Sequence, residues 1–99
     1  MKIKFTKMSG AGNDFIMLGP EYAGLKAQLS QLAGRLCPRK VAVGADGLIM
    51  VERTGTDIVM HYFNSDGSEA AFCGNGARCL VRYCLAKGVS GGRVSFKSR

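Results

Sequence analysis

Cys73 stands immediately before Gly74-Asn75-Gly76, at the point where an apolar segment ends and a helical pattern begins. The first N–H groups of a helix have no partner within it, and the helix dipole adds partial positive charge there. A thiol at such a place has its thiolate stabilised, so it can serve as a base or a nucleophile. Gly74 and Gly76 allow the backbone to approach a ligand without a Cβ in the way. Asn75 both donates and accepts hydrogen bonds. Together these residues describe a reactive cysteine beside a carboxylate-binding helix start. Upstream, Asn64-Ser65-Asp66-Gly67-Ser68 is a dense turn cluster. Asn13 directly follows a second glycine-rich loop, residues 9–12; for Asn13 and Asn64 turn formation is the plain alternative to ligand binding.

The remaining candidates by residue type read as structural. Cys37, Cys79 and Cys84 fit core or helix-end positions, the commonest place for an unreactive cysteine. Asp14, Asp46, Asp66 and Glu69 suit loop capping and solvated charge. His61 lies mid-strand with no partner nearby in sequence. The four cysteines lack C-x-x-C spacing, which disfavours zinc and thioredoxin-type chemistry. Gly10-Ala11-Gly12 is not a dinucleotide fingerprint, because Phe15 stands where the third glycine belongs.

The elements that position these residues follow from periodicity. Residues 2–8 begin with alternation, Ile3 and Phe5 against Lys2, Lys4 and Thr6, and read as a strand. Phe15–Leu18 is a short apolar strand, and Gly19-Pro20 breaks the chain. From about Tyr22 to Cys37, Leu25, Leu29, Leu32, Ala33 and Leu36 recur at helical spacing, the pattern of an amphipathic surface helix that Pro38 stops. Residues 48–53 and 57–64 form two strands joined at Thr54-Gly55-Thr56 as a hairpin. Residues 75–87 form a helix apolar over most of its circumference, with Arg78 and Arg82 as a narrow polar ridge. A helix of that kind is normally wrapped by other elements. Residues 93–97 make a last strand.

Composition bounds the function. A chain of 99 residues with 46% hydrophobic residues is one globular domain with a modest core. The net charge of +7 raises nucleic-acid binding, but the basic residues are scattered and no nucleic-acid module motif is present. Lys2-Ile3-Lys4-Phe5 is not a signal sequence, and no apolar run approaches the roughly 20 residues of a membrane helix. The expected setting is the cytoplasm, with reduced thiols.

Lys7-Met8-Ser9-Gly10-Ala11-Gly12-Asn13-Asp14-Phe15, then Val43-Gly44-Ala45-Asp46-Gly47-Leu48-Ile49, then Asn64 through Cys73-Gly74-Asn75-Gly76-Ala77-Arg78 follow one another along the chain. Together these three segments resemble the diaminopimelate epimerase family of pyridoxal-phosphate-independent isomerases, which implies no metal or organic cofactor. The resemblance covers the family's first half. It implies an α+β fold in which a mostly antiparallel sheet wraps a central helix, plus one amphipathic surface helix. Residues 1–99 would be the N-terminal domain of a two-domain enzyme, with the C-terminal domain absent from this chain. The implied reaction interconverts LL- and meso-2,6-diaminopimelate, on the route to lysine, by proton transfer between two cysteines. Cys73 matches the first cysteine; the second belongs to the C-terminal domain. Asn13, Asn64, Gly74 and Asn75 match residues that bind the substrate's polar ends. At Gly47 some members carry a glutamine that contacts substrate, and here that position has no side chain to offer. A related cofactor-free racemase, or a non-catalytic half-domain, are the other readings. Two copies could also pair as a homodimer that brings two Cys73 thiols together.

Overall fold

Phe15-Ile16-Met17-Leu18 and Leu48-Ile49-Met50-Val51 are two continuous apolar runs, and every one of these side chains is buried. Runs of this kind suit strands covered on both faces, where alternate residues enter two different cores. A computed structural model of the chain describes residues 3–10, 12–38, 44–55, 57–70, 74–88 and 93–97. Its strands are β1 (Thr6–Gly10), β2 (Asn13–Leu18), β3 (Gly47–Thr54), β4 (Asp57–Asn64) and β5 (Arg93–Lys97). They form one sheet in the order β1-β2-β3-β4-β5.

Two cores follow from the pleat. On one face Phe15, Met17, Ile49, Val51, Ile58 and Met60 pack with Cys79, Leu80, Tyr83 and Cys84 of helix α2 (Gly74–Lys87). On the other, Ile16, Leu18, Leu48, Met50 and Phe63 pack with Leu29, Ala33 and Cys37 around helix α1 (Leu29–Leu36). Each large apolar side chain buried in this way contributes roughly 1.5–3 kcal/mol.

The sheet is mixed, where a mostly antiparallel one was expected. The pairs β1–β2 and β3–β4 are antiparallel, whereas β2–β3 and β4–β5 are parallel. Parallel neighbours need a long crossover, and each of these two is joined through a helix, α1 or α2. Because β4 runs opposite to β2, crossovers of one hand moving the same way across the sheet place their helices on opposite faces. That is the arrangement of the two cores.

The strand expected over residues 2–8 starts at Thr6, and the hairpin joins β3 to β4 with Thr54 opposite Asp57. The single helix expected from Tyr22 to Cys37 is two pieces: a 3-10 segment, Pro20–Gln28, runs into α1. Tyr22 is non-helical within the first piece, which buries no residue. The apolar stripe begins only at Leu25, so packing supports α-helix from Leu29 onward and not before.

Helix α2 is covered by the described strands along one side. Its opposite side carries Val81, 47% exposed, and Leu85, 79% exposed. No helix among the described residues is long and apolar enough to cross a membrane.

Candidate functional site

The site candidates converge because of strand direction. β2 and β3 run parallel, so both start at the same end of the sheet; β4 is antiparallel and finishes there. Asn13 opens β2, Asp46 immediately precedes β3, and Asn64 closes β4 opposite Gly47. Helix α2 begins at the same end, for Asn75 Nδ2 donates to Asn13 Oδ1 at 2.6 Å.

Asn13 is held from the other side as well. Its Nδ2 faces Asp46 Oδ2 at 3.4 Å, and that same oxygen accepts the Asp14 backbone N–H at 2.8 Å. The Asp46 N–H in turn donates to the Asp14 carbonyl at 2.9 Å. Ser9 Oγ donates to Asp14 Oδ1 at 2.5 Å, and Arg82 Nη1 of α2 donates to the Ser9 carbonyl at 3.0 Å. The β1–β2 turn, the start of β3 and the first three turns of α2 are thereby tied into one polar assembly.

Asn64 belongs to a separate loop network. Its backbone N–H donates to the Ser68 carbonyl at 2.8 Å and its Nδ2 to Ser68 Oγ at 3.1 Å. Ser68 donates its N–H and its hydroxyl to Asp66 Oδ1, at 2.9 and 2.6 Å. These bonds hold the Asp66 carboxyl below its ordinary range, the side-chain bond from Ser68 being the largest cause. The loop is docked on α1: Ser30 Oγ donates to the Gly67 carbonyl at 2.5 Å. Gly67 has φ +92°, and a Cβ there would meet the Ser30 backbone oxygen at 2.8 Å.

Gly47 is explained by packing. A Cβ at this position would stand 2.6 Å from the Tyr62 ring, which itself meets Phe15 edge to face with centroids 5.6 Å apart. Position 47 therefore delivers backbone alone, with Tyr62 in the space where a side chain would begin.

Of the residues singled out in sequence, Asn13 and Asn75 are in direct contact, Gly74 is the exposed first residue of α2, and Asn64 ends a strand at the same edge. Cys73 lies outside the described residues. Cys79 and Cys84 sit in the core under the sheet and Cys37 in the opposite one. Burial pushes the Cys84 thiol up, which disfavours its thiolate. Among the described residues no group of His, Cys, Asp or Glu could hold a metal ion. Sequence reasoning read Asp46 as a loop-capping acid and Arg82 as part of a polar ridge, and gave Ser9 no role beyond its place in the glycine loop. The Asp46–Asp14 and Arg82–Ser9 contacts span 32 and 73 positions, so no local spacing marks them. His61 does have a partner: its Nε2 lies 2.7 Å from Glu52 Oε1, across the β3–β4 hairpin.

The sequence model described as diaminopimelate epimerase matches residues 5–99. The diaminopimelate epimerase of Alkaliphilus metalliredigens is 48% identical over 90 residues, covering 90% of this chain and 32% of that protein. That of Halothermothrix orenii is 52% identical over 87 residues, with 84% and 30% covered. That of Archaeoglobus fulgidus is 44% identical over 102 positions, with 99% and 36% covered. The chain spans about a third of the length of these curated relatives. With the family's sequence pattern running from Phe5 to the last residue, and relatives this similar along nearly all of it, the chain belongs to the diaminopimelate epimerase family.

Proposed function

We propose that this chain is the N-terminal domain of a cofactor-independent amino-acid epimerase that interconverts LL- and meso-diaminopimelate. Inverting a carbon by proton transfer takes two groups on opposite faces, one removing the Cα proton and the other returning one. Cys73 is the first group in this reading, and a cysteine of the C-terminal domain is the second. The observation that carries it is the 2.6 Å bond between Asn75 and Asn13 at the start of α2, two residues beyond Cys73 in sequence. It gathers two of the proposed substrate-binding amides where unpaired helix N–H groups favour an anion.

In this reading Asn13, Asn64, Asn75 and the Gly74 backbone bind the polar ends of the substrate. The helix start then stabilises both the thiolate and the charge developing on the α-carboxylate. The reaction is assigned to the cytoplasm. Val81 and Leu85 leave one side of α2 apolar and exposed, and cover over that side in a complete protein would give the wrapped central helix that the family resemblance implies.

The test is Cα–H exchange and epimerisation of diaminopimelate in D₂O by the full-length protein. Cys73→Ala is expected to lower turnover by about 10²- to 10⁴-fold, the usual range for a general acid or base. Near-native turnover in that variant would sink the assignment.

A further inference from the structure

A carboxamide can be turned either way, and the two orientations offer opposite hydrogen-bonding ends to a ligand. We infer that Asp46 is the positioning residue that sets this orientation for both Asn13 and Asn75. The inference rests on the proposed reading of those two asparagines as substrate contacts.

Asp46 is anchored before it acts. Its Oδ2 accepts the Asp14 N–H at 2.8 Å and its own N–H donates back to the Asp14 carbonyl at 2.9 Å, a reciprocal pair that pins the carboxylate at the start of β2. The distance from Asn13 Nδ2 to Oδ2, 3.4 Å, is long for a hydrogen bond, but its sign is decisive. A carboxylate oxygen has no proton to give, so the amino end of Asn13 must face it; the reverse would set two acceptors against each other. Asn13 Oδ1 is then turned toward Asn75, and only the Asn75 amino end can supply a proton to it, as the 2.6 Å bond shows. One carboxylate thus orders two amides in series. Among the described residues, the capacity left over is one N–H on each amide, the Oδ1 of Asn75 and the second lone pair of Asn13 Oδ1. Donors beside an acceptor are what the carboxylate and ammonium of an amino-acid head group require.

The test uses the full-length protein. Asp46→Ala is expected to raise KM for diaminopimelate about tenfold, with kcat changed by less than about threefold. Asp46→Asn, whose carboxamide oxygen can replace Oδ2 opposite the Asp14 N–H, is expected to restore KM to within about threefold of native. Because Asp46 acts through Asn13, adding Asp46→Ala to Asn13→Ala should raise KM by less than about twofold more. The same tenfold rise in both backgrounds would assign Asp46 a purely structural role and overturn the inference, as would a native KM in Asp46→Ala. Side-chain amide NMR gives a second readout and needs no turnover: the Asn75 NH₂ resonances should shift and broaden in Asp46→Ala, or in Asp46→Ser if the alanine variant does not fold. Unchanged Asn75 signals in either folded variant would overturn the inference. An inactive wild-type protein would instead refute the proposed function, leaving the amide relay to be judged by these spectra.

Discussion

Asn75 holds the start of α2 against the start of β2 through its bond to Asn13. Asn75→Ala removes the donor and leaves Asn13 Oδ1 without its partner. The expected loss is about 1–3 kcal/mol of stability, readable as a lower urea midpoint, together with a raised KM. Cysteine chemistry gives a second check at this scale. Cys37, Cys79 and Cys84 are buried, and burial raises the Cys84 thiol. Limiting iodoacetamide is therefore expected to label Cys73 before the other three, with diaminopimelate slowing the reaction. Peptide mass spectrometry showing earlier modification of a buried cysteine would contradict the role proposed for Cys73. Asn13 and Asn75 could be singled out in sequence only one residue at a time. Their mutual contact, and Asp46 behind it, depend on α2 meeting β2 and on the β2–β3 pairing, which spacing along the chain cannot reveal.

Between elements, the 3-10 segment is fastened to the sheet by charge. Lys26 Nζ lies 2.8 Å from Glu52 Oε2 on β3, with His61 on the other carboxylate oxygen. The bond from Lys26, then that from His61, holds the Glu52 carboxyl below its ordinary value of 4.5. A lowered folded-state value means a stabilising contribution that is present above the unfolded value and disappears as pH falls through the folded one. Urea midpoints should therefore decline from about pH 5 to about pH 3 more steeply in the wild type than in Glu52→Gln. Equal slopes would show that this contact carries no pH dependence. The loop after β4 makes a harder demand. Gly67→Ala places a Cβ against the Ser30 backbone at φ +92°, and about 1–3 kcal/mol of destabilisation is expected by thermal melting. Periodicity was sufficient to locate β3, β4 and α2, whose apolar patterns are long. It extended α1 too far, because helical spacing from Leu25 says nothing about which turns find a packing partner. Pairing direction was equally silent: the one apolar run of β3 pairs parallel with β2 and antiparallel with β4, and only the long crossovers hint at the difference.

At the scale of the molecule, helices cover both faces of the sheet while the outer side of α2 stays apolar and exposed. If the remaining part of the protein closes over that side, Leu85→Glu should lower the melting temperature of the full-length protein by several degrees, as burial of a charge would. The same change in residues 1–99 alone should leave the melting temperature within about a degree, since Leu85 is 79% exposed there. A full-length protein indifferent to Leu85→Glu would mean that this side faces solvent. The contact between Asn13 and Asn75 also has a consequence in time. Its two ends are 62 positions apart, so a ribosome adding about 5–20 residues per second completes the first amide some 3–12 s before the second exists. During that interval β1 and β2 can pair, yet only one of the two proposed ligand contacts exists. In the proposed reading, binding competence therefore arrives late in synthesis, and a ligand that needs both amides selects for chains in which the first strand and the second helix have already met.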